Sequence, residues 1–495
     1  MTYLELSEDG GGSHKFYEVT VAGTSVTITY GRIGETGQTK VTNFPTEAKA
    51  QAAAAKKISE KTRKGYAPAV RGVRGARGRR AVTRRTIRPT AHPTPVHPTG
   101  AHPRTVPTAR PTVQRAPVLW RFDSGASAFG IFVDGERCWV GNQRGDVYTV
   151  THSGTVTGRF RLPDGVKCIV ADDFWIYAGC DDGCVYDLTG KAPRAAYEIA
   201  EDVDIYWLDI HDGMLGVSDR AGGVTMIDYE DEFQWSRTGS ADSAWMVRCD
   251  DDSVYHGHSK GVARYDAEDG TPIWQTSLSE QVLFGWQEAH SVYAGTARGS
   301  VGSVIRLAKG DGRIEAVYRC DGSVYSCATS PGGRHVFAGD NDSSVYCFDA
   351  SGERLWKLDT GCGSAFSMQF LDDRLYIVTT EGTLACIDAS EAAIAAARSG
   401  SVPQPLDVKA AASLQAVEPS VTLETTTDAG DGVVVECFQE GQRLRIRVIS
   451  PGYESWNVQF PKDIREPGAR YLVEGLRSAG RGGFYRAYGE IRRLV

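Results

Sequence analysis

The feature that most constrains this chain is a glycine that recurs about every forty residues. Gly141, Gly179, Gly257, Gly295 and Gly339 each close a short apolar strand, at gaps of 38, 78, 38 and 44 residues, the second being twice 39. After most of them come three or four polar residues, another glycine, and an apolar strand ending in aspartate. Cys180-Asp181-Asp182-Gly183-Cys184-Val185-Tyr186-Asp187 shows the pattern plainly. A period of roughly 40 residues built from short strands and tight turns is the signature of a β-propeller. One such unit cannot bury its own apolar faces, so the units must stack around an axis.

Seven segments read as innermost strands: 128–133, 167–172, 206–211, 245–250, 283–288, 325–330 and 366–371. Six outer strands follow them, among them 232–237, 272–277 and 354–358. The seventh unit has no outer strand of its own, because after Asp388 the chain turns to an alanine-rich, helix-like stretch at 391–398. The missing strand lies at the start. Val118-Leu119-Trp120-Arg121-Phe122 reads like Arg354-Leu355-Trp356-Lys357-Leu358. The first strand is therefore expected to complete the last blade, which closes the ring and removes an exposed edge. Seven blades is the expected count, with six and eight open.

At 495 residues several domains are expected. The reading is multidomain and mainly β: a small α+β domain at 1–66, a disordered basic linker at 67–116, the propeller at 117–390, a helix and linker at 391–429, and a small β-rich domain at 430–495. No run approaches 18 apolar residues, so no membrane helix is expected. The start, Met1-Thr2-Tyr3-Leu4-Glu5-Leu6-Ser7-Glu8-Asp9, is acidic and alternating, unlike a secretory leader. Eleven cysteines stand singly, without a C-x-x-C pair, and read as reduced core residues. A cytoplasmic protein is expected, with association with the nucleoid open.

The net charge of −7 hides an asymmetry. Residues 61–122 contain 15 Lys and Arg and no Asp or Glu, whereas residues 123–399 contain 22 against 43. A basic tether joined to an acidic ring bears on partners rather than on fold.

In the first module, strand-like alternation appears at 3–6, 16–21 and 25–30. A glycine-rich turn spans 31–40, and Pro45-Thr46-Glu47 starts a helix that runs to about Lys64 and carries Lys49, Lys56, Lys57 and Lys61. This stretch resembles the WGR domain, found in poly(ADP-ribose) polymerases and in many bacterial proteins. The resemblance rests on Lys15-Phe16-Tyr17-Glu18, on Tyr30-Gly31-Arg32-Ile33-Gly34 followed by Gly37-Gln38-Thr39, and on Phe44, Ala48, Ala52, Lys61, Gly65 and Tyr66. One departure matters: the signature tryptophan is Tyr30 here. In the polymerases the domain engages DNA at a strand break, with the aromatic against a terminal nucleotide and basic groups on the phosphate. The resemblance thus implies nucleic-acid contacts from Tyr30, Gly31, Arg32, Lys40, Lys56 and Lys57. Base stacking on an aromatic is worth roughly 1–3 kcal/mol, and tyrosine has less area than tryptophan. The plainer reading packs Tyr30 into the small core and holds Arg32 in an ion pair. The relay to a catalytic domain known in the polymerases has no recipient sequence here.

The tether has almost no large apolar residues, cannot offset its ordering entropy, and is expected to be disordered. Arg71, Arg74, Arg77, Arg79 and Arg80 form a glycine-spaced cationic run. Such arginines neutralise phosphates in a sequence-independent, salt-sensitive way; alternatively the run lies on the acidic propeller. His92-Pro93, His97-Pro98 and His102-Pro103 read as a semi-rigid spacer rather than a metal site.

Within the array, Asp266-Ala267-Glu268-Asp269-Gly270-Thr271-Pro272-Ile273-Trp274 and Asp349-Ala350-Ser351-Gly352-Glu353-Arg354-Leu355-Trp356 resemble the repeats of quinoprotein-like propellers, also akin to WD40 arrays. That resemblance implies that the Asp-turn-Gly and the Trp lock neighbouring blades. Trp120, Trp235, Trp274 and Trp356 are expected to be packing residues. No cofactor site, metal site or catalytic residue is identified. Asp172-Asp173, Asp181-Asp182 and Asp250-Asp251-Asp252 read as solvated turns, and no phosphate loop or zinc-protease, serine-hydrolase or deaminase signature occurs. Phe484, Tyr485, Arg486 and Tyr488 are read as core packing with a surface arginine, or as a binding surface.

The expectation is a non-enzymatic adaptor. The first module and the arginines bind nucleic acid, DNA favoured and ends or nicks in view. The acidic propeller docks protein, a basic partner above all, and no cofactor or membrane is involved. A role in DNA repair follows from the resemblance alone. The rivals are a pure protein scaffold and a propeller enzyme with an unrecognised site.

Overall fold

The recurrent glycine owes its place to the neighbouring sheet. A Cβ at Gly141 would lie 2.4 Å from Val166 Cγ1, and one at Gly179 would lie 2.4 Å from Leu208 Cδ2. In each case the clash is with the first strand of the next sheet, so only a residue without a side chain lets the two sheets approach. The double gap between Gly179 and Gly257 is filled by Gly216, whose Cβ would meet Cys249 Sγ at 2.7 Å.

A computed structural model of the chain describes residues 2–6, 15–32, 38–43, 46–51, 54–55, 58, 67–69, 114–172, 175–199, 205–227, 233–238, 243–428, 430, 432–441, 443–479 and 483–495. It divides into two units, Met1–Thr105 and Val106–Val495.

The first unit holds a five-stranded antiparallel sheet in the order Gln38–Asn43, Ser25–Arg32, Lys15–Ala22, Thr2–Leu6 and Ala67–Pro68. Leu4, Tyr17, Val19 and Val26 are buried with Ala50 and Ala54 of a helical stretch. Thr46 caps that stretch, its Oγ1 accepting from Lys49 N at 3.3 Å. Two expected boundaries move. Gly31 and Arg32 prolong a strand rather than open a turn, and the sheet takes in Ala67 and Pro68, past Tyr66.

In the second unit, among the described residues, seven antiparallel sheets of at least four strands follow one another. The first is Ala128–Val133, Arg137–Asn142, Asp146–Thr151 and Val156–Arg161, and the sixth is Val324–Thr329, His335–Asp340, Ser344–Asp349 and Arg354–Asp359. The seventh takes three strands from the chain's later part, Ala365–Leu371, Arg374–Thr379 and Thr383–Asp388, and its fourth from the front, Val118–Asp123. Thr383 pairs with Asp123 and Cys386 with Trp120. The seventh sheet also packs on the first. Gln369 accepts from Val133 N at 2.7 Å and donates to Val133 O at 3.2 Å. The ring is thus a β-propeller closed by its leading strand. Ten of the eleven cysteines are buried, nine of them on strands and Cys362 in a connection, and Cys184 is half-buried.

Outer-strand tryptophans of the third, fourth and seventh sheets tie each of these sheets to the next. Trp235 Nε1 donates to Ala267 O at 2.9 Å, Trp274 Nε1 to Lys309 O at 2.9 Å, and Trp120 Nε1 to His152 O at 2.9 Å. Each acceptor lies in the turn before the next sheet's outer strand. Gly270, at φ +68°, lies against Trp235, where a Cβ would come within 2.5 Å of the ring. This is the expected lock between blades.

Two stretches expected to be linkers are ordered instead. Gln114–Ala116 already bonds to the sixth sheet, Ala116 N donating to Asp359 O at 2.8 Å. Leu406–Val408 adds to Val118–Asp123 as a fifth, parallel strand, and Val417 bridges to Phe160 of the first sheet. Capped by Ser390, the helix Glu391–Arg398 buries Ile394 and Ala397.

The last module is a small closed sheet. Phe484–Leu494, Asn457–Gln459, Arg443–Val448, Val433–Glu440 and Arg470–Ser478 are neighbours in that order, and the last pairs back to the first. Val435, Cys437, Ile446, Val458 and Tyr471 form its core. It docks on the second sheet of the ring through Arg486. That guanidinium donates to Asp172 Oδ2 at 2.5 Å and to Tyr177 Oη at 3.3 Å, and lies 3.7 Å from the Trp175 ring centroid. Trp175 Nε1 donates back to Ala487 O at 2.7 Å.

Candidate functional site

The residues expected to touch nucleic acid divide into two groups. Tyr30, Gly31 and Arg32 end the strand Ser25–Arg32, and Lys40 lies on the adjacent strand Gln38–Asn43. The register pairs Tyr30 with Tyr17 on one side and with Gln38 on the other. Gly31 pairs with Phe16, Arg32 with Lys15, and Lys40 with Ile28. The backbone thus brings four of the candidates onto two adjacent strands. Lys56, Lys57, Arg71, Arg74, Arg77, Arg79 and Arg80 lie outside the described residues.

In the ring, two sequence readings change. Asp172, expected in a solvated turn, is 7% exposed and paired to Arg486. Arg486, read as a surface arginine or part of a binding surface, is 2% exposed. Burial works against its charge, yet the Tyr177 oxygen and the Asp172 carboxylate hold its pKa above the ordinary arginine value. Phe484 and Tyr485 are likewise buried. This constellation is an internal clasp, occupied by its own partners. Among the described residues no group of three His, Cys, Asp or Glu side chains is placed to hold a metal ion. No helix among them is long and apolar enough to cross a membrane. A cavity of about 380 Å³ between the first and second sheets is lined by Trp139, Phe160, Thr149 and Thr157. Its one lining carboxylate, Asp134, is engaged by the Trp139 indole at 2.9 Å.

One constellation was not read from the sequence. One position near the start of each inner strand is half-buried, the second residue in five strands, the third in the fifth strand and the one just before the fourth strand: Phe129, Lys167, Tyr206, Trp245, Leu283, Tyr325 and Phe366. In six of the seven sheets the register slips at that residue, so it bulges out of the ladder. Inner strands share one direction, so these side chains gather at one end of the axis. Phe129 and Phe366 stack at 4.3 Å with planes 12° apart, and Tyr206 and Trp245 at 3.7 Å and 15°. Tyr325 lies 5.6 Å from Phe366. The signal was available as an aromatic in five of the seven repeats after a small or branched buried residue, but only a correct strand register shows the positions to be equivalent.

Residues 1–73 match the family model described as the WGR domain. Residues 341–395 match a model described as outer membrane protein assembly factor BamB. No curated protein matches the chain. Among solved structures, the chain is similar to the computationally designed Ika8 protein (12% identity, 56% of this chain and 99% of that chain, TM-score 0.43). It is also similar to the WD40 β-propeller domain of Doa1 (10% identity, 56% and 98%, TM-score 0.48). The chain thus carries a WGR domain at residues 1–73, with a β-propeller behind it.

Proposed function

We propose that this chain is a non-enzymatic adaptor of the cytoplasm. It binds nucleic acid, DNA in preference to RNA, through residues 1–73 and the arginines that follow, and it docks proteins on its propeller. The observation that carries this reading is the WGR match over residues 1–73. The strand register supports it by setting Tyr30, Gly31 and Arg32 at a strand end beside Lys40. The fifteen cations and no acids of residues 61–122 supply the long-range attraction for phosphate. The acidic ring, tightly locked and fronted by strand ends and turns, suits a protein partner better than a polyanion.

The test is fluorescence anisotropy of the full chain with blunt, nicked and single-stranded DNA and with RNA, at about 0.15 M salt, where exposed charges reach only ~8 Å. Tyr30→Ala should weaken binding to the preferred DNA by roughly 5- to 150-fold, the equivalent of one lost base stack. Arg32→Ala should act in the same direction. Binding unchanged in both variants would leave only a nonspecific cation and turn the reading towards a protein scaffold.

A further inference from the structure

We propose that the aromatic end of the propeller axis is a binding site for arginine side chains of an extended, cationic peptide segment. The inference rests on the docking role proposed for the propeller and names its place and its chemistry.

Three observations converge. First, the half-buried aromatics form two stacked pairs, Phe129 with Phe366 and Tyr206 with Trp245. The face of an aromatic ring is its electron-rich side and attracts cations. Second, the one charged member of the circle shows that chemistry in place. Lys167 Nζ lies 4.8 Å from the Phe129 ring centroid and 3.2 Å from Asp181 Oδ2. An ammonium is thus held between a ring and a carboxylate of the next turn. Third, the charge around the circle is mainly negative. Among the described residues, the connections that lead into the inner strands carry Asp123, Asp164, Glu280 and Asp321 and no Lys or Arg. The turns between second and third strands lie at the same end, since Gln143 N donates to Ser127 O and Asn341 N to Ser323 O, and they add Asp181, Asp182, Asp342 and Glu381 against Arg144, Arg220 and Lys260.

Together these select the ligand. Carboxylates around a ring of aromatic faces repel phosphates, so a nucleic-acid strand stacking there would meet the wrong field. An apolar peptide would gain from the rings but nothing from the acids. A guanidinium gains from both, because it is flat, weakly hydrated and always charged, and it stacks on aromatic planes. A flexible segment can turn several such side chains onto the rings, which a fixed folded surface does less readily.

The experiment uses the full chain and a fluorescein-labelled, glycine-spaced arginine peptide, read by anisotropy at about 0.15 M salt. Matched peptides carry lysine or glutamate in place of arginine. Phe366→Leu keeps apolar volume and removes a ring face; it should weaken the arginine peptide about tenfold, in the range expected for a cation–π contact partly shielded from water. Trp245→Leu is the second variant, should the first lose its fold by thermal unfolding. Glu280→Gln, in one of the acidic connections, should also weaken binding. Asp251→Asn, in a turn at the other end of the ring, should leave it unchanged. The lysine peptide should bind less tightly and the glutamate peptide not at all. Equal binding by Phe366→Leu and Trp245→Leu, or equal weakening by Asp251→Asn and Glu280→Gln, would overturn the proposal in favour of diffuse attraction. A single-stranded oligonucleotide that displaces the peptide in a Phe366-dependent way would overturn it in favour of base stacking. Tyr30-dependent DNA binding, measured on the same variants, should be unaffected. Its loss in the parent chain would strike at the nucleic-acid reading and leave the axial site standing.

Discussion

Arg486 is the residue on which the last module turns. It is buried against Asp172, Tyr177 and Trp175, so its charge has lost water and gained fixed partners. Removing one member of such a pair leaves the other charge buried and alone. Arg486→Met should destabilise the second unit by about 3–5 kcal/mol, and Arg486→Met combined with Asp172→Asn should recover part of that loss; urea unfolding of the three proteins checks it. The sequence offered Arg486 only as one arginine among aromatics, because its partner stands 314 residues earlier in the chain.

His256 presents the opposite case, a buried group kept neutral. Neither ring nitrogen has a partner among the described residues. Burial first, and the neighbouring His258 second, push its pKa down to about 3. The unfolded chain takes up this proton near the ordinary value of 6.5, the folded chain only near 3, so stability falls as the pH drops between them. From pH 7 to pH 5 the loss traceable to this residue should be about 2 kcal/mol. His256→Phe should flatten that dependence, as read from urea midpoints at the two pH values.

At the scale of elements, the repeat works through what is left out. Gly141 belongs to a second strand, and its missing Cβ makes room for Val166 of the next sheet. Gly141→Ala would place an atom 2.4 Å from Val166 Cγ1 and 2.8 Å from its Cβ. Neither Val166 atom lies at the far end of a flexible chain, so the sheets must part. The expected cost is about 1–3 kcal/mol, as for overpacking elsewhere, seen as a lower melting temperature. This device was legible in the sequence because a forbidden side chain leaves the same residue at the same place in unit after unit. The strand Leu406–Val408 was not legible. Three residues with no strong alternation become a strand only because Val118–Asp123 offers them an open edge. The aromatic circle was hidden for a related reason, since a bulge is defined by the partner strand and not by the bulged residue.

Across the whole molecule, charge is distributed by segment. On the proposed reading, the arginines at 71, 74, 77, 79 and 80 neutralise phosphates, and each one so engaged contributes about 0.9 to the slope of log affinity against log salt on duplex DNA. Replacing all five by alanine should therefore make that slope several units shallower while Tyr30-dependent preference among DNA forms persists. Titrations at three or more salt concentrations would measure it, and an unchanged slope would show that these arginines leave the phosphates untouched.

What the sequence determined by itself is what depends on local pattern. The alternation of short strands, the glycine that lets sheets meet, the aspartate turns and tryptophans between them, and the motif around Tyr30 are all written within a few residues. They were enough for the propeller, for its closure by Val118–Asp123, and for the WGR domain. Only the tertiary structure decided what depends on distant partners. It paired Asp172 with Arg486, laid residues 406–417 along the ring, closed the last module on itself and gathered the bulged aromatics at one end of the axis. The physical reason is that burial and pairing are properties of a place in space, and residues far apart along a chain come to share a place only when it folds.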